Sequence, residues 1–177
     1  MPVTISGNCA PPGWHSFREF SPKLLKMPTH AEQRVLPYTP AQMFDLVADI
    51  ERYPEFLPWC VGARIRKREA DEVVADLVIG FKMFRERFTS IVRLDRPGQR
   101  IDVAYADGPF RHLNNHWHFA PHGNNHCRID FFVDFEFRSA VLQKLIGVLF
   151  NEAVRRMVAA FEARANKLYG AGAAATR

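Results

Sequence analysis

The sequence predicts an α+β fold: a strongly curved antiparallel sheet of six to seven strands wrapped around one long C-terminal helix, with two short helices after the first strand. Three observations carry this. In RIDFFVDFEFR, Ile129, Phe131, Val133, Phe135 and Phe137 share one parity, while Asp130, Asp134, Glu136 and Arg138 share the other. That strand is apolar on one face and wet on the other, as in an antiparallel sheet covered on one side. Turn residues divide the middle of the chain at hairpin spacing: Asp71-Glu72, Pro97-Gly98, Gly108-Pro109 and Pro121-His122-Gly123-Asn124-Asn125. After Ser139 the apolar period changes from two to 3.6.

Residues 1–26 show no sustained period and lack the apolar core of a secretory signal. They read as a flexible leader or a mis-called start, since MPTHAEQRVLPYTP from Met27 looks like a fresh beginning. Arginine is scarce there and Glu19 is present, against an organelle transit peptide. The expected domain is 27–169. Residues 30–36 form a strand. Thr39 is an N-cap with Pro40 at the first helical position, and Ala41, Phe44, Leu46 and Val47 make a short helix. Asp49 caps a second turn through Tyr53. Strands follow at 61–68, 72–81, 84–95, 100–106, 112–120 and 126–137. Ser139 caps the last helix, whose inward stripe is Leu142, Ile146, Leu149, Ala153, Met157 and Phe161, with Glu152, Arg155, Arg156, Glu162 and Arg164 opposite. It ends near Tyr169 after about 45 Å, leaving 170–177 as a disordered tail. A concave sheet is not always filled by one helix, and the void between them is the natural binding site.

Composition fits one domain with a large core. The apolar fraction is 47%, and 15 phenylalanines suit a bulky core or the wall of a greasy cavity. No run approaches the roughly 18 apolar residues of a membrane span. The net charge of +5 is spread along the chain. Its densest group, Arg64, Arg66, Lys67 and Arg68, is followed by Glu69, Asp71 and Glu72. That is a solvated hairpin, or an attraction to anionic lipid or RNA. Three scattered cysteines (Cys9, Cys60, Cys127) argue for a reducing compartment and no disulfide framework.

Few residues promise chemistry. His112, His116, His118, His122 and His126 crowd one stretch, and His116 and His118 have zinc-like spacing on a strand. Yet Leu113, Trp117 and Phe119 take the other parity, so these histidines are expected to face solvent without a metal. Glu86 shares its parity with Phe84, Phe88, Ser90, Val92 and Leu94. It is a catalytic acid, a polar clamp for a ligand head, or an edge residue reaching solvent or an arginine. Nucleophile elbow, phosphate loop and dinucleotide fingerprint are all missing, which lowers the prior for hydrolase, kinase or dehydrogenase.

The octapeptide YPEFLPWC (53–60) sets Tyr53, Phe56, Leu57 and Trp59 among prolines that make it a loop or a helix end. With ARIRKRE, ERFTSIVRLDRP, DGPFRHLNNHWHFAP and the terminal helix, it resembles the coenzyme Q-binding proteins of the START/polyketide cyclase-like superfamily, over about residues 27–169. The resemblance implies a helix-grip (START-like) fold with an apolar tunnel. It implies binding of ubiquinone or a related isoprenoid lipid, as a carrier or chaperone supporting respiration and quinone biosynthesis, not as an enzyme and with no further cofactor. Some relatives are instead described as ribosome-association toxins that block subunit joining. A third reading is a cyclase or aromatase working through Glu86 or Tyr105. DNA is not an expected partner. The expected setting is bacterial cytoplasm with peripheral contact to the inner membrane, or the matrix side of a mitochondrion. The candidate lining comprises Phe84, Glu86, Phe88, Trp117, Phe131, Phe135, Leu142, Ile146, Leu149 and Ala153. The loop residues Phe56, Leu57 and Trp59 are either its mouth or a core plug.

Overall fold

A computed structural model describes residues 29–81 and 84–170. The leader 1–26 and the tail beyond Gly170 lie outside the described residues. The chain runs β1 (Thr29–Leu36), α1 (Pro40–Ala48), a 3₁₀ turn (Ile50–Arg52), α2 (Tyr53–Phe56), β2 (Cys60–Arg68), β3 (Glu72–Phe81), β4 (Phe84–Asp95), β5 (Arg100–Asp107), β6 (Phe110–His122), β7 (His126–Phe137) and α3 (Ala140–Tyr169). The strands form one seven-stranded sheet in the order β1-β7-β6-β5-β4-β3-β2. Every neighbouring pair is antiparallel. β2 to β7 thus form a meander, and α1 and α2 carry the chain from the β1 edge to the β2 edge.

Local chemistry sets these boundaries. Thr39 and Gln42 form a reciprocal capping box, with Pro40 in the first turn. Asp49 does occupy the next cap, but its side chain makes no capping hydrogen bond. At the β5–β6 turn Gly108 has φ +132°, and a Cβ there would lie 2.7 Å from both the Arg87 carbonyl oxygen and Phe88 Cβ. Only glycine fits that corner. Ser139 accepts from the Leu142 amide to start α3.

The main core joins α1, the inner face of the sheet and the second half of α3. Phe44 and Phe119 meet edge to face at 6.0 Å, among Val47, Ile101, Ile129, Phe161 and Ala165. A second buried cluster, Phe131, Val133, Phe150 and Val154, continues along β7. The buried line of α3 is Phe150, Val154, Phe161 and Ala165. The expected stripe is therefore displaced by one residue over its first half: Leu142, Ile146, Leu149 and Ala153 are half-buried flanks. Arg164 also departs from its expected place on the outer face. Its guanidinium lies 5.3 Å from the centre of the Phe56 ring and 3.0 Å from Glu55.

Candidate functional site

The inner face of the sheet and α3 enclose a groove whose two ends differ. At the α1 end the YPEFLPWC segment acts as a plug. Tyr53 donates to the Val47 carbonyl at 2.6 Å, and burial pushes its phenol pKa up. The Tyr53 and Phe56 rings stand 5.7 and 5.3 Å from Phe161. Phe56 and Leu57 pack on the main core. Trp59 is held at φ +67°, a strained conformation for a bulky residue. Its carbonyl accepts from the Gly80 amide at 2.8 Å, which ties the loop to β3.

A small apolar cavity of about 30 Å³ remains between β1, α1 and α3, lined by Leu36, Met43, Trp117, Ile129, Val158 and Phe161 among others. It has room for little more than a water molecule. Glu32 and Arg34 line its rim. Burial works against the charge on Glu32, but hydrogen bonds with His30 and Arg34 outweigh it and hold the carboxyl below its ordinary range.

The other end is open. Gly147 stands 18 residues before Ala165, five full turns of helix, so both present the same face. Ala165 is wholly buried, whereas a Cβ on Gly147 would meet no atom within 4 Å. Position 147 of α3 therefore faces open space where position 165 is packed. Phe84, Leu113, Phe135, Leu142, Ile146 and Leu149 are half-buried around this end, and Ile79 is exposed. Behind them Phe110 is ringed by Phe88, Tyr105, Phe135 and Phe137 at 4.6–5.7 Å.

Within this aromatic wall sit polar atoms that find no partner among the described residues. Ser90 Oγ, Tyr105 OH and Asn115 Oδ1 are buried and accept or donate no hydrogen bond there. Ser90 is opposite Tyr105 across β4 and β5. Asn115, on β6, pairs with Val103, two residues before Tyr105. Native interiors pair such groups almost without exception, because each orphan costs about 1–3 kcal/mol. Glu86 is on the same face, half-buried opposite Ile79. Among the sequence-derived candidates, Phe88, Phe131 and Phe135 line the aromatic wall, the Trp117 ring lies tilted 4.3 Å from that of Phe131, and Glu86 stands at the open end. Ser90 was visible by parity; Asn115 was not singled out, because a polar residue on an inward parity matters only once its partners are known to be missing.

The histidines occupy the outer face, as parity places them. His116 hydrogen-bonds Asp102 at 2.6 Å, His118 meets Asp130, and His112 meets Asp134. Among the described residues no three of His, Cys, Asp and Glu gather as a metal set. Burial raises both described thiols, Cys60 and Cys127, the latter to about 11. No helix among the described residues is long and apolar enough to cross a membrane.

A seven-stranded antiparallel sheet gripping one long helix defines a START-like protein. The chain belongs to the family described as polyketide cyclase/dehydrase and lipid transport, which matches residues 36–162. It is similar to the ribosome association toxin RatA of Rickettsia prowazekii, at 41% identity over 138 residues, covering 76% of this chain and 94% of that one. It is also similar to the mitochondrial coenzyme Q-binding protein COQ10 homolog B of Xenopus laevis, at 35% identity over 145 residues, 80% of this chain and 59% of that protein. The solution structure of an 18 kDa protein from Caulobacter crescentus matches with 41% identity and a TM-score of 0.67, over 81% of this chain and 99% of that one. The two curated relatives are named for association or binding.

Proposed function

We propose that this protein holds a lipid with a long apolar tail and a small oxygen-bearing head, in the first instance a ubiquinone-like prenylated quinone, and carries it without chemical change. The observation that carries this reading is the set of orphan polar atoms, Ser90 Oγ, Tyr105 OH and Asn115 Oδ1, buried behind the open end of the groove. Two hydroxyls donate to the carbonyl oxygens of an oxidised head, and the Asn115 oxygen accepts from a hydroxyl of the reduced one. The tail lies against Phe84, Leu142, Ile146, Leu149 and Ala153, whose affinity comes from apolar area at about 25 cal/mol per Å² before ordering costs. The quinone-binding relative supports this choice of head. The groove opens onto a membrane pool of lipid, so the protein works in transient contact with that surface.

The test is lipid extraction of the purified chain with quantification of bound quinone by mass spectrometry. Wild type is expected to carry quinone. Ala153→Phe fills the tail space at a cost of at most about 1–3 kcal/mol and is expected to carry none while still melting cooperatively. A folded variant with its full complement of quinone refutes the placement.

A second reading, association with ribosomal subunits, is favoured by the name of the Rickettsia relative and by arginines on the outer face of the sheet. Co-sedimentation of the chain with purified subunits over a salt series tests it; no binding at low salt excludes it.

A further inference from the structure

The outer face of β2, β3 and β4 carries a feature that neither groove nor fold requires. Arg64, Arg66 and Arg87 surround Asp76 in a recess of about 240 Å³ lined by these four residues alone. Arg64 stands opposite Asp76 in the β2–β3 register, and Asp76 stands opposite Thr89 in the β3–β4 register. The Asp76 side chain is nearly buried, and its short hydrogen bond is from the Thr89 hydroxyl, at 2.6 Å. Arg66 and Arg87 approach the carboxylate only to 3.7 and 4.0 Å, and Arg64 makes no ion pair among the described residues. The rest of the basic hairpin is neutralised separately, Lys67 by Glu69 and Arg68 by Glu51. Three guanidinium charges less one carboxylate leave the recess at +2, with most of its planar donors turned to solvent.

We propose that this recess is a phosphate-binding site that seats a backbone phosphodiester of RNA. Guanidinium groups match phosphate oxygens two at a time, and three arginines converging on one recess can hold a single phosphate from several sides. Asp76 fixes the arginines from beneath and, as a like charge to the ligand, keeps affinity moderate. A bilayer is the poorer fit. The recess opens on the face of the sheet turned away from the groove, so a membrane seated there does not meet the proposed lipid entrance. The inference deepens the ribosome-association reading and rests on it.

The test compares the full-length wild type with Arg64→Gln/Arg66→Gln/Arg87→Gln and with a charge-matched control, Arg93→Gln/Arg100→Gln/Arg111→Gln, for co-sedimentation with purified subunits across a salt series. The recess variant is expected to bind at least about tenfold more weakly, with its log–log salt slope flattened by about 1, while the control changes neither as much. Asp76→Asn, which retains an acceptor for Thr89, is expected to bind about threefold or more tightly. Equal losses in both triple variants reduce the effect to net charge and overturn the site. Unchanged binding by the recess variant also overturns it, as does a loss seen on vesicles of one part phosphatidylglycerol to three parts phosphatidylcholine but not on subunits. If the wild type itself fails to co-sediment, the ribosome reading falls and the RNA site falls with it.

Discussion

The two ends of one groove are built from the same materials and finished differently. At the α1 end, Phe44, Phe119, Cys127 and Ala165 lose nearly all contact with water, and the proline-framed loop brings Tyr53 and Phe56 onto Phe161. At the other end, equally apolar side chains stop half-way to burial and polar atoms are buried unpaired. The difference teaches where stability and function divide. A closed apolar end returns the full free energy of burial to the fold. Under the carrier reading, an open end leaves part of it to be realised by a guest.

The largest expected effect lies at the closed end. Phe119→Ala is predicted to destabilise the protein by about 3–5 kcal/mol, because the cavity it leaves is walled by Phe44 and Trp117 and cannot collapse. Chemical denaturation measures this. A loss below about 1 kcal/mol would mean that this end too is loosely packed.

The in-phase pair on α3 compares the two ends directly. Ala165→Leu puts three extra carbons into a full site and is expected to cost about 1–3 kcal/mol. Gly147→Leu puts a larger side chain into open space and removes a helix glycine, so it is expected to stabilise by about 0.5–1 kcal/mol. Thermal melts of the two variants with opposite signs support the comparison. Equal destabilisation breaks it.

A smaller effect is predicted for the orphan hydroxyls. Ser90→Ala and Tyr105→Phe each remove a buried group that has no partner among the described residues, so the lipid-free protein is expected to gain up to about 1 kcal/mol. Under the carrier reading the same variants retain less quinone. A variant that becomes less stable without lipid would show that its hydroxyl already has a partner, such as a water molecule.

Much of this was legible in the sequence. The strands could be read because alternation and Gly- or Pro-bearing turns are local signals, and β3, β4 and β7 fall where the alternation places them. The phase of α3 could not. In AVLQKLIGVLF apolar residues surround nearly the whole helix, so periodicity does not select a face, and tertiary packing chose Phe150 and Val154 over Leu149 and Ala153. Arg164 misled in another way: a charge suggests solvent, but its stem covers Phe56 while its head reaches Glu55. The arginine recess depends on the registers of three strands, including an irregularity between Ile65 and Lys67, which no local pattern announces. Phe84, Glu86 and Trp117 were placed on the inner face by parity alone. The lack of partners at Ser90, Tyr105 and Asn115 depends on what fails to reach them, and no run of residues encodes that.

The smallest predicted effect concerns the β1 edge, which is fastened to β7 on the outer face near both ends. Toward the closed end, Gln33 donates to Asp130 at 2.6 Å; toward the open end, Thr29 donates to Asp134 at 3.1 Å. The Gln33 hydrogen bond, aided by His118 and Arg128 against the cost of burial, holds the Asp130 carboxyl below its ordinary 3.8. A carboxyl depressed in the folded state stabilises fully above its unfolded value and loses that contribution as pH falls through the folded one. Asp130 therefore adds stability at neutral pH that disappears below about pH 4. The group is partly exposed, so after solvent screening the contribution is expected to stay under about 1 kcal/mol. Melting temperature against pH for wild type and Asp130→Asn reads it out: the curves should separate at pH 6–7 and converge toward pH 3. Curves that run parallel through the acid range would show that Asp130 fastens the edge by geometry alone.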